Sequence, residues 1–289
     1  MVRIILALSS LACVARGLRF STPRMSAAPA SRGKLAILGG GGYVGREVAR
    51  RAVARGWTVS SLSRRGANPE PGDANLDAVE WVAGDATDAA VVDAFVGSAD
   101  AVAHCVGLLF DADAGALTRF SSVVSGSGSV PAGDSTYDRI TRLTALNSAA
   151  AASKPRLLRR KPTPFAFISC AEAGWPDVQF GDVVESRLAP EWLRRYLKAK
   201  RAVEAELGSN ANLRPIILRP SLIWDWSKLD VLPAIPVFNL ASAVGVPFVD
   251  RTMRVTDLAD AAVAGLEDDA VSGVQRFEAM DALAAGLRK

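Results

Sequence analysis

The sequence predicts an α/β protein built on a doubly wound parallel sheet, with a small C-terminal subdomain on the substrate side. Three observations carry that prediction. From Lys34 onward, short apolar runs rich in β-type residues alternate with longer amphipathic patterns. A cluster of four glycines, Gly39 to Gly42, separates the first run from the first helical pattern. With 289 residues, 49% of them apolar and 22% charged, the chain is long enough to bury a large core.

The elements follow in order. Lys34–Leu38 is a five-residue apolar run and reads as the first strand. Tyr43–Arg55 reads as a helix, because Val44, Val48, Ala52 and Gly56 recur every four residues along one face. Trp57–Leu62, Val79–Val82 and Ala101–Val106 are the second, third and fourth strands. A helical pattern from Tyr137 to Ala152 precedes a fifth strand at Phe165–Cys170. Glu191–Leu207 is strongly amphipathic, Pro215–Arg219 is the sixth strand, and Thr256 and Asp257 start a helix that ends near Leu266. Two stretches interrupt the pattern. Leu108–Ser135 is a Gly/Ser-rich loop of the kind that forms lids or stays disordered. Val231–Val249 holds no charge, but Pro233, Pro236, Gly245 and Pro247 break it too often for a membrane span. It reads as subdomain core or as the lining of an apolar pocket or membrane-facing lip. The organisation expected is a targeting leader over 1–33, a nucleotide-binding domain over 34–224, and a substrate-side segment over 225–289 packed on the same domain.

Charge is distributed unevenly. Ahead of Lys34 stand five arginines and no acidic residue, and without those five the acidic residues slightly outnumber the basic ones. The body of the protein therefore gives no electrostatic case for nucleic acid. The leader itself has a short basic start, a twelve-residue uncharged run from Ile4 to Ala15, and then an Arg-, Ser- and Pro-rich stretch to Arg32. A signal-like core followed by a transit-like stretch resembles the bipartite plastid leaders of algae. Import into a plastid is favoured, with a mitochondrial presequence and secretion as alternatives. Cys105 and Cys170 show no metal-type spacing and fall in strands, and His104 is the only histidine, so no metal is expected.

The glycines sit where a strand meets a helix. Glycine there permits a tight turn and a close approach of the backbone to a pyrophosphate, which then meets unpaired N–H groups at the helix start. Two frames fit, Gly40-x-Gly42-x-x-Gly45 and Gly39-x-x-Gly42-x-x-Gly45; residues Tyr43 and Val44 open the helix. About twenty residues on, a carboxylate would select NAD by bonding the ribose. Instead Ser63, Arg64 and Arg65 stand there, and no acidic residue lies between Arg51 and Glu70. Guanidinium groups suit the 2′-phosphate, so NADP is expected in preference to NAD; a solvated pair of loop arginines is the plainer alternative. Gly84-Asp85-Ala86 ends the third strand beside the expected adenine, and Val106-Gly107 ends the fourth beside the nicotinamide ribose. Tyr196 and Lys200 share one helical face, and an ammonium so placed would lower the phenol's pKa for acid–base work.

Taken together, Gly39-x-x-Gly42-x-x-Gly45, Gly84-Asp85, Ser169, Tyr196-x-x-x-Lys200 and "LRPSLIWD" at Leu218–Asp225 resemble the extended or atypical short-chain dehydrogenase/reductases, a Rossmann-fold family. The likeness spans about Lys34 to Leu283 and favours the frame that begins at Gly39. It implies that Ser169 stabilises a substrate oxygen, Tyr196 exchanges the proton, Lys200 holds the cofactor ribose, and Pro220 lies near the nicotinamide. Within the family, "GGGGYVGREVARRAVARGWTVSSLSRRG", "HCVGLLF" and "YLKAKRAVEAEL" are similar to an organellar subgroup. It includes the NAD(P)-binding accessory protein of the coenzyme Q biosynthetic complex and plastid Rossmann proteins of plants. The chain departs from the pattern at Thr141, where Asn is usual, at Cys170 beside Ser169, and at Ser221, where Gly is usual.

Two functions follow as expectations. One is an NADPH-dependent oxidoreductase of an organelle acting on an apolar quinone- or lipid-like substrate. The other is a non-catalytic NADPH-binding accessory protein of a membrane-associated complex, with peripheral membrane contact.

Overall fold

The computed structural model describes residues 31–108, 135–155, 161–226, 234–244 and 249–288. The leader to residue 30, nearly all of the 108–135 loop and parts of the 231–249 stretch lie outside them.

Nine strands and their helices alternate along the described chain. The strands are β1 Lys34–Leu38, β2 Thr58–Ser63, β3 Glu80–Ala83, β4 Ala101–His104, β5 Thr163–Ile168, β6 Leu213–Leu218, β7 Ile223–Trp224, β8 Met253–Arg254 and β9 Gly273–Gln275. The α-helices are α1 Tyr43–Ala54, α2 Ala74–Asp77, α3 Ala89–Val96, α4 Thr144–Ala152, α5 Gly181–Arg187, α6 Glu191–Ser209, α7 Ala234–Ala243, α8 Val255–Glu267 and α9 Phe277–Leu287. Seven strands form one sheet in the order β3-β2-β1-β4-β5-β6-β9, parallel throughout. β7 and β8 make a separate two-stranded ribbon.

A parallel sheet needs cover on both faces, which is why its strands read as near-continuous apolar runs. Leu35 and Ile37 point to one face, where they meet Val48, Ala49 and Ala52 of α1 and Leu258, Ala262 and Leu266 of α8. Ala36 and Leu38 point to the other, against Val92 and Val96 of α3, Ala145 and Ala149 of α4, and Val203 and Leu207 of α6. Aspartates start the early helices. Asp73 accepts from the N–H groups of Asn75 and Leu76, and Asp88 from those of Ala90 and Val91.

Strand order reverses between β1 and β4, the switch point at whose carboxyl end open α/β sheets of this kind form their ligand crevice. Several element ends differ from the sequence expectation, and the crevice explains one of them. β4 stops at His104 and not at Val106, because the glycine loop crosses there and packs against the Val106 N–H. β5 ends at Ile168, after which Cys170 opens a short 3-10 turn. The three-residue β9 is absent from the sequence reading. It extends the sheet beside β6, and α8 and α9 pack on the α1 face, so much of the chain after residue 225 belongs to the main body.

Candidate cofactor and tyrosine-lysine site

The turn after β1 is built by its glycines. Gly39 donates to the Leu62 carbonyl at 2.9 Å and has φ +83°, a left-handed conformation that favours glycine. A Cβ on Gly39 would lie 3.0 Å from the Val106 nitrogen, and one on Gly45 would lie 2.2 Å from the Gly39 carbonyl oxygen. Gly42 closes the turn by donating to that carbonyl at 3.0 Å. Gly40 is constrained as well, since its Cβ would lie 2.2 Å from Ser61 Oγ. Gly41 is the exception, with Ser63 Oγ at 3.9 Å as its nearest neighbour. α1 then begins at Tyr43 with neither a capping side chain nor an acidic residue in its first turn. Its leading N–H groups, from Tyr43, Val44 and Gly45, suit an anion, and side chains on the turn would fill the space a pyrophosphate needs. The Tyr43 ring itself is buried; burial, then Asp225, pushes its phenol up, and the hydroxyl pairs with Asp225.

Ser63 holds the turn at the end of β2. Its carbonyl accepts from Gly84 at 3.0 Å and its hydroxyl from Gly66 at 3.1 Å. Gly66 has φ +56° against the backbone of Ala83, and Arg64 and Arg65 are exposed at the tip. The descending loop is clamped to α1, where Arg50 bonds Glu70 at 2.6 Å and Asp73 at 2.8 Å, and Arg46 reaches Glu70 at 3.2 Å. The arginine pair therefore stands on an anchored loop. Across the crevice, the Asp85 carboxyl is held below its ordinary range, first by the Thr87 N–H and also by the charges of Arg139 and Arg64. Asn147 of α4 holds the Ala86 and Thr87 carbonyls at 3.2 and 3.1 Å. The sequence reading missed Asn147; the signal was a lone amide inside the run "TALNSAAAA". Gly107 follows Val106 at the rim, with open space where a side chain would be.

α6 brings Tyr196 and Lys200 together as their spacing requires. The Lys200 ammonium is buried, donates to the Ile168 carbonyl at 2.6 Å, and stands 4.8 Å from the centre of the Phe167 ring and 5.5 Å from that of Tyr196. Burial draws its pKa down to about 8. The Tyr196 ring meets the edge of Tyr137 at 5.4 Å. The expected lowering of the phenol is not what this arrangement produces. Burial comes first, then Cys170, Glu172 and Tyr137, and together they push Tyr196 well above its ordinary value. The ammonium is turned to the Ile168 carbonyl and the ring faces, so desolvation prevails.

Ser169 does not join this pair. Its hydroxyl donates to Glu204, and Glu204 is gripped by Arg219 through contacts of 2.6 and 3.2 Å. The serine's hydroxyl proton is thus held by a carboxylate in an ion pair. Extended backbone turns the next residue, Cys170, to the other side, against Tyr196, Leu197 and Trp175. Pro220 is buried and its carbonyl accepts from Ala171 at 2.8 Å. His104 lies beneath the site. Because Thr144 Oγ1 already donates to the Ile140 carbonyl, His104 Nε2 must donate to Thr144, at 2.9 Å. Burial draws the imidazole down to about 3, so it is neutral. No group of three or more His, Cys, Asp or Glu suited to a metal occurs among the described residues.

Comparison with known proteins bears on the whole of this geometry. The chain is 26% identical over 217 residues to MIOREX complex component 2 of Saccharomyces cerevisiae, covering 66% of this chain and 73% of that one. It is 25% identical over 276 residues to an uncharacterized chloroplastic protein of Arabidopsis thaliana, covering 88% and 78%. A short-chain type dehydrogenase/reductase from Mycobacterium ulcerans shares the fold with a TM-score of 0.54 at 20% identity, over 87% of this chain and 90% of that one. The model of an NAD(P)H-binding family matches residues 39–269, from the glycine turn after β1 to just past α8, and the chain belongs to that family.

Proposed function

We propose that this protein is an NADPH-dependent oxidoreductase of an organelle, acting on an apolar quinone- or lipid-like substrate. The observation that carries the reading is the pairing of the buried Lys200 with the half-buried Tyr196 at the carboxyl end of β5. Gly39, Gly42 and Gly45 with the first turn of α1 would receive the pyrophosphate. Arg64 and Arg65, with Ser63 setting the turn, would take the 2′-phosphate, and Asp85-Ala86, Val106-Gly107 and Pro220 would line the path to the nicotinamide. The bound cofactor supplies a hydride. Lys200 holds the ribose and keeps its charge beneath Tyr196, and Tyr196 donates its phenolic proton to the substrate oxygen. The raised phenol stays protonated until that moment, which suits reduction. The apolar character of α7 and of Val244 just after it, with Val237, Leu240 and Val244 exposed, favours an apolar substrate or a membrane-bound source of it. Among the described residues no helix is long and apolar enough to cross a membrane.

Two observations favour a second reading. The yeast relative is named as a component of a complex, and the Ser169 hydroxyl here is bound to Glu204. A cofactor-binding accessory protein of a membrane-associated complex would fit both. The chloroplastic relative and the acid-free leader support a plastid, with the mitochondrion as the alternative. NADPH oxidation with a panel of quinones, in wild type and Tyr196→Phe, separates the two readings. Turnover lost in the variant with NADPH binding intact supports the enzyme. No turnover in the wild type, with co-purification of a membrane complex, supports the accessory role.

A further inference from the structure

Tyr196, Lys200 and Glu204 recur every four residues on α6, so the three side chains share one face of the helix. Lys200 and Glu204 are both buried, at 3% and 8% exposure. Each is tied to the end of β5, and to adjacent residues there. The Lys200 ammonium donates to the Ile168 carbonyl at 2.6 Å, and the Glu204 carboxylate accepts from the Ser169 hydroxyl. The same carboxylate accepts from Arg219 at 2.6 and 3.2 Å. Arg219 is itself held, by Asp177 at 3.2 Å and through its N–H by the Gln275 carbonyl at 3.0 Å. Glu204 is thus fixed to the ends of β5 and β6 together, one helical turn from the ammonium.

A buried ammonium needs a counter-charge, or it sheds its proton. The other ionisable groups described around Lys200 do not supply one. Burial pushes the Cys105 and Cys170 thiols up to about 12, and Tyr196 lies well above its ordinary value. His104, whose ring stands 5.7 Å from that of Phe167, is neutral. The Glu204 charge raises the ammonium against its burial. We propose that Glu204, held by Arg219 and Ser169, is a positioning residue for the Tyr196–Lys200 pair. It sets the α6 face against the strand ends and is the counter-charge of the buried ammonium. The part this gives Lys200 in catalysis rests on the oxidoreductase reading above, and the electrostatic part does not.

The test uses the full chain, and its first arm needs no ligand. The stability of the wild type minus that of Lys200→Met, from urea unfolding, rises with pH above the folded pKa of Lys200, about 8. In Glu204→Gln the same difference, taken against Glu204→Gln/Lys200→Met, should begin to rise about one pH unit lower or more. Glu204→Gln/Arg219→Met removes both charges and leaves neither buried alone, so it serves where Glu204→Gln fails to fold, and its onset should be displaced alike. An onset at the wild-type pH in these backgrounds overturns the proposal. The second arm follows NADPH-dependent quinone reduction. In Glu204→Gln, kcat/KM at pH 8 should fall at least tenfold and recover most of that loss at pH 6, where Lys200 is protonated again. No loss, or an equal loss at both pH values, overturns the positioning role. Absence of turnover in the wild type sinks the oxidoreductase reading, and the stability arm still decides the counter-charge.

Discussion

Gly40→Ala offers a quantitative test of how the glycine turn is packed. The new Cβ would lie 2.2 Å from Ser61 Oγ and 2.9 Å from Ser61 Cβ, where carbon contacts ordinarily begin at about 3.5 Å. Ser61 is fully buried on β2, so it cannot swing into solvent. Overpacking of this kind costs about 1–3 kcal/mol. The obstacle is a side chain whose hydroxyl has no hydrogen-bond partner. Ser61→Ala alone therefore breaks no bond and should change stability by less than about 0.5 kcal/mol. Combined with Gly40→Ala it removes the worse of the two contacts and should recover about 1 kcal/mol or more, a favourable coupling between neighbours. Urea unfolding of the four proteins measures the cycle, and NADPH titration measures binding. Gly45→Ala is the contrast, because its Cβ would meet the Gly39 carbonyl oxygen at 2.2 Å and the Gly40 Cα at 2.8 Å. That obstacle is backbone and cannot be trimmed, so stability and NADPH affinity should fall together, and Ser61→Ala should not rescue either. Additivity of Gly40→Ala and Ser61→Ala within about 0.3 kcal/mol would refute the packing argument.

Arg64→Ala should weaken NADPH binding by about ten- to a hundredfold, the worth of a charge-assisted hydrogen bond, and leave NADH binding unchanged; equal losses for both cofactors would contradict the 2′-phosphate assignment. Lys200 should leave a mark on stability. Its folded pKa of about 8 lies below its ordinary 10.5, so between those values the unfolded chain holds more protons and stability rises with pH. The wild-type stability minus that of Lys200→Met should climb by roughly 3 kcal/mol across that window, and a flat difference between pH 8 and 10.5 would show that the ammonium is not buried as described.

Much of the fold was legible because its signals are local. The β1 run, the glycines and the α1 face lie within some twenty residues, and each imposes its structure through short-range sterics. Tyr196 and Lys200 were legible for the same reason, since an i,i+4 pair on a helix must share a face. Asn147 was not, because its role is to hold two carbonyls some sixty residues away. The short β9 escaped notice because three residues carry no periodicity, and it is a strand only by virtue of the β6 edge beside it.

From the sequence alone come the parallel sheet, the place of the dinucleotide turn, the lack of a carboxylate after β2, and the Tyr–Lys pair. Only the tertiary structure decided which neighbour each end-of-strand side chain meets. Ser169 and Cys170 are adjacent in the chain, yet extended backbone sends them to opposite sides. One goes to Glu204 and Arg219, and the other goes to Tyr196 and Leu197. That division depends on α6 and the turn after β5 converging across the sheet edge, and no spacing within the sequence encodes it.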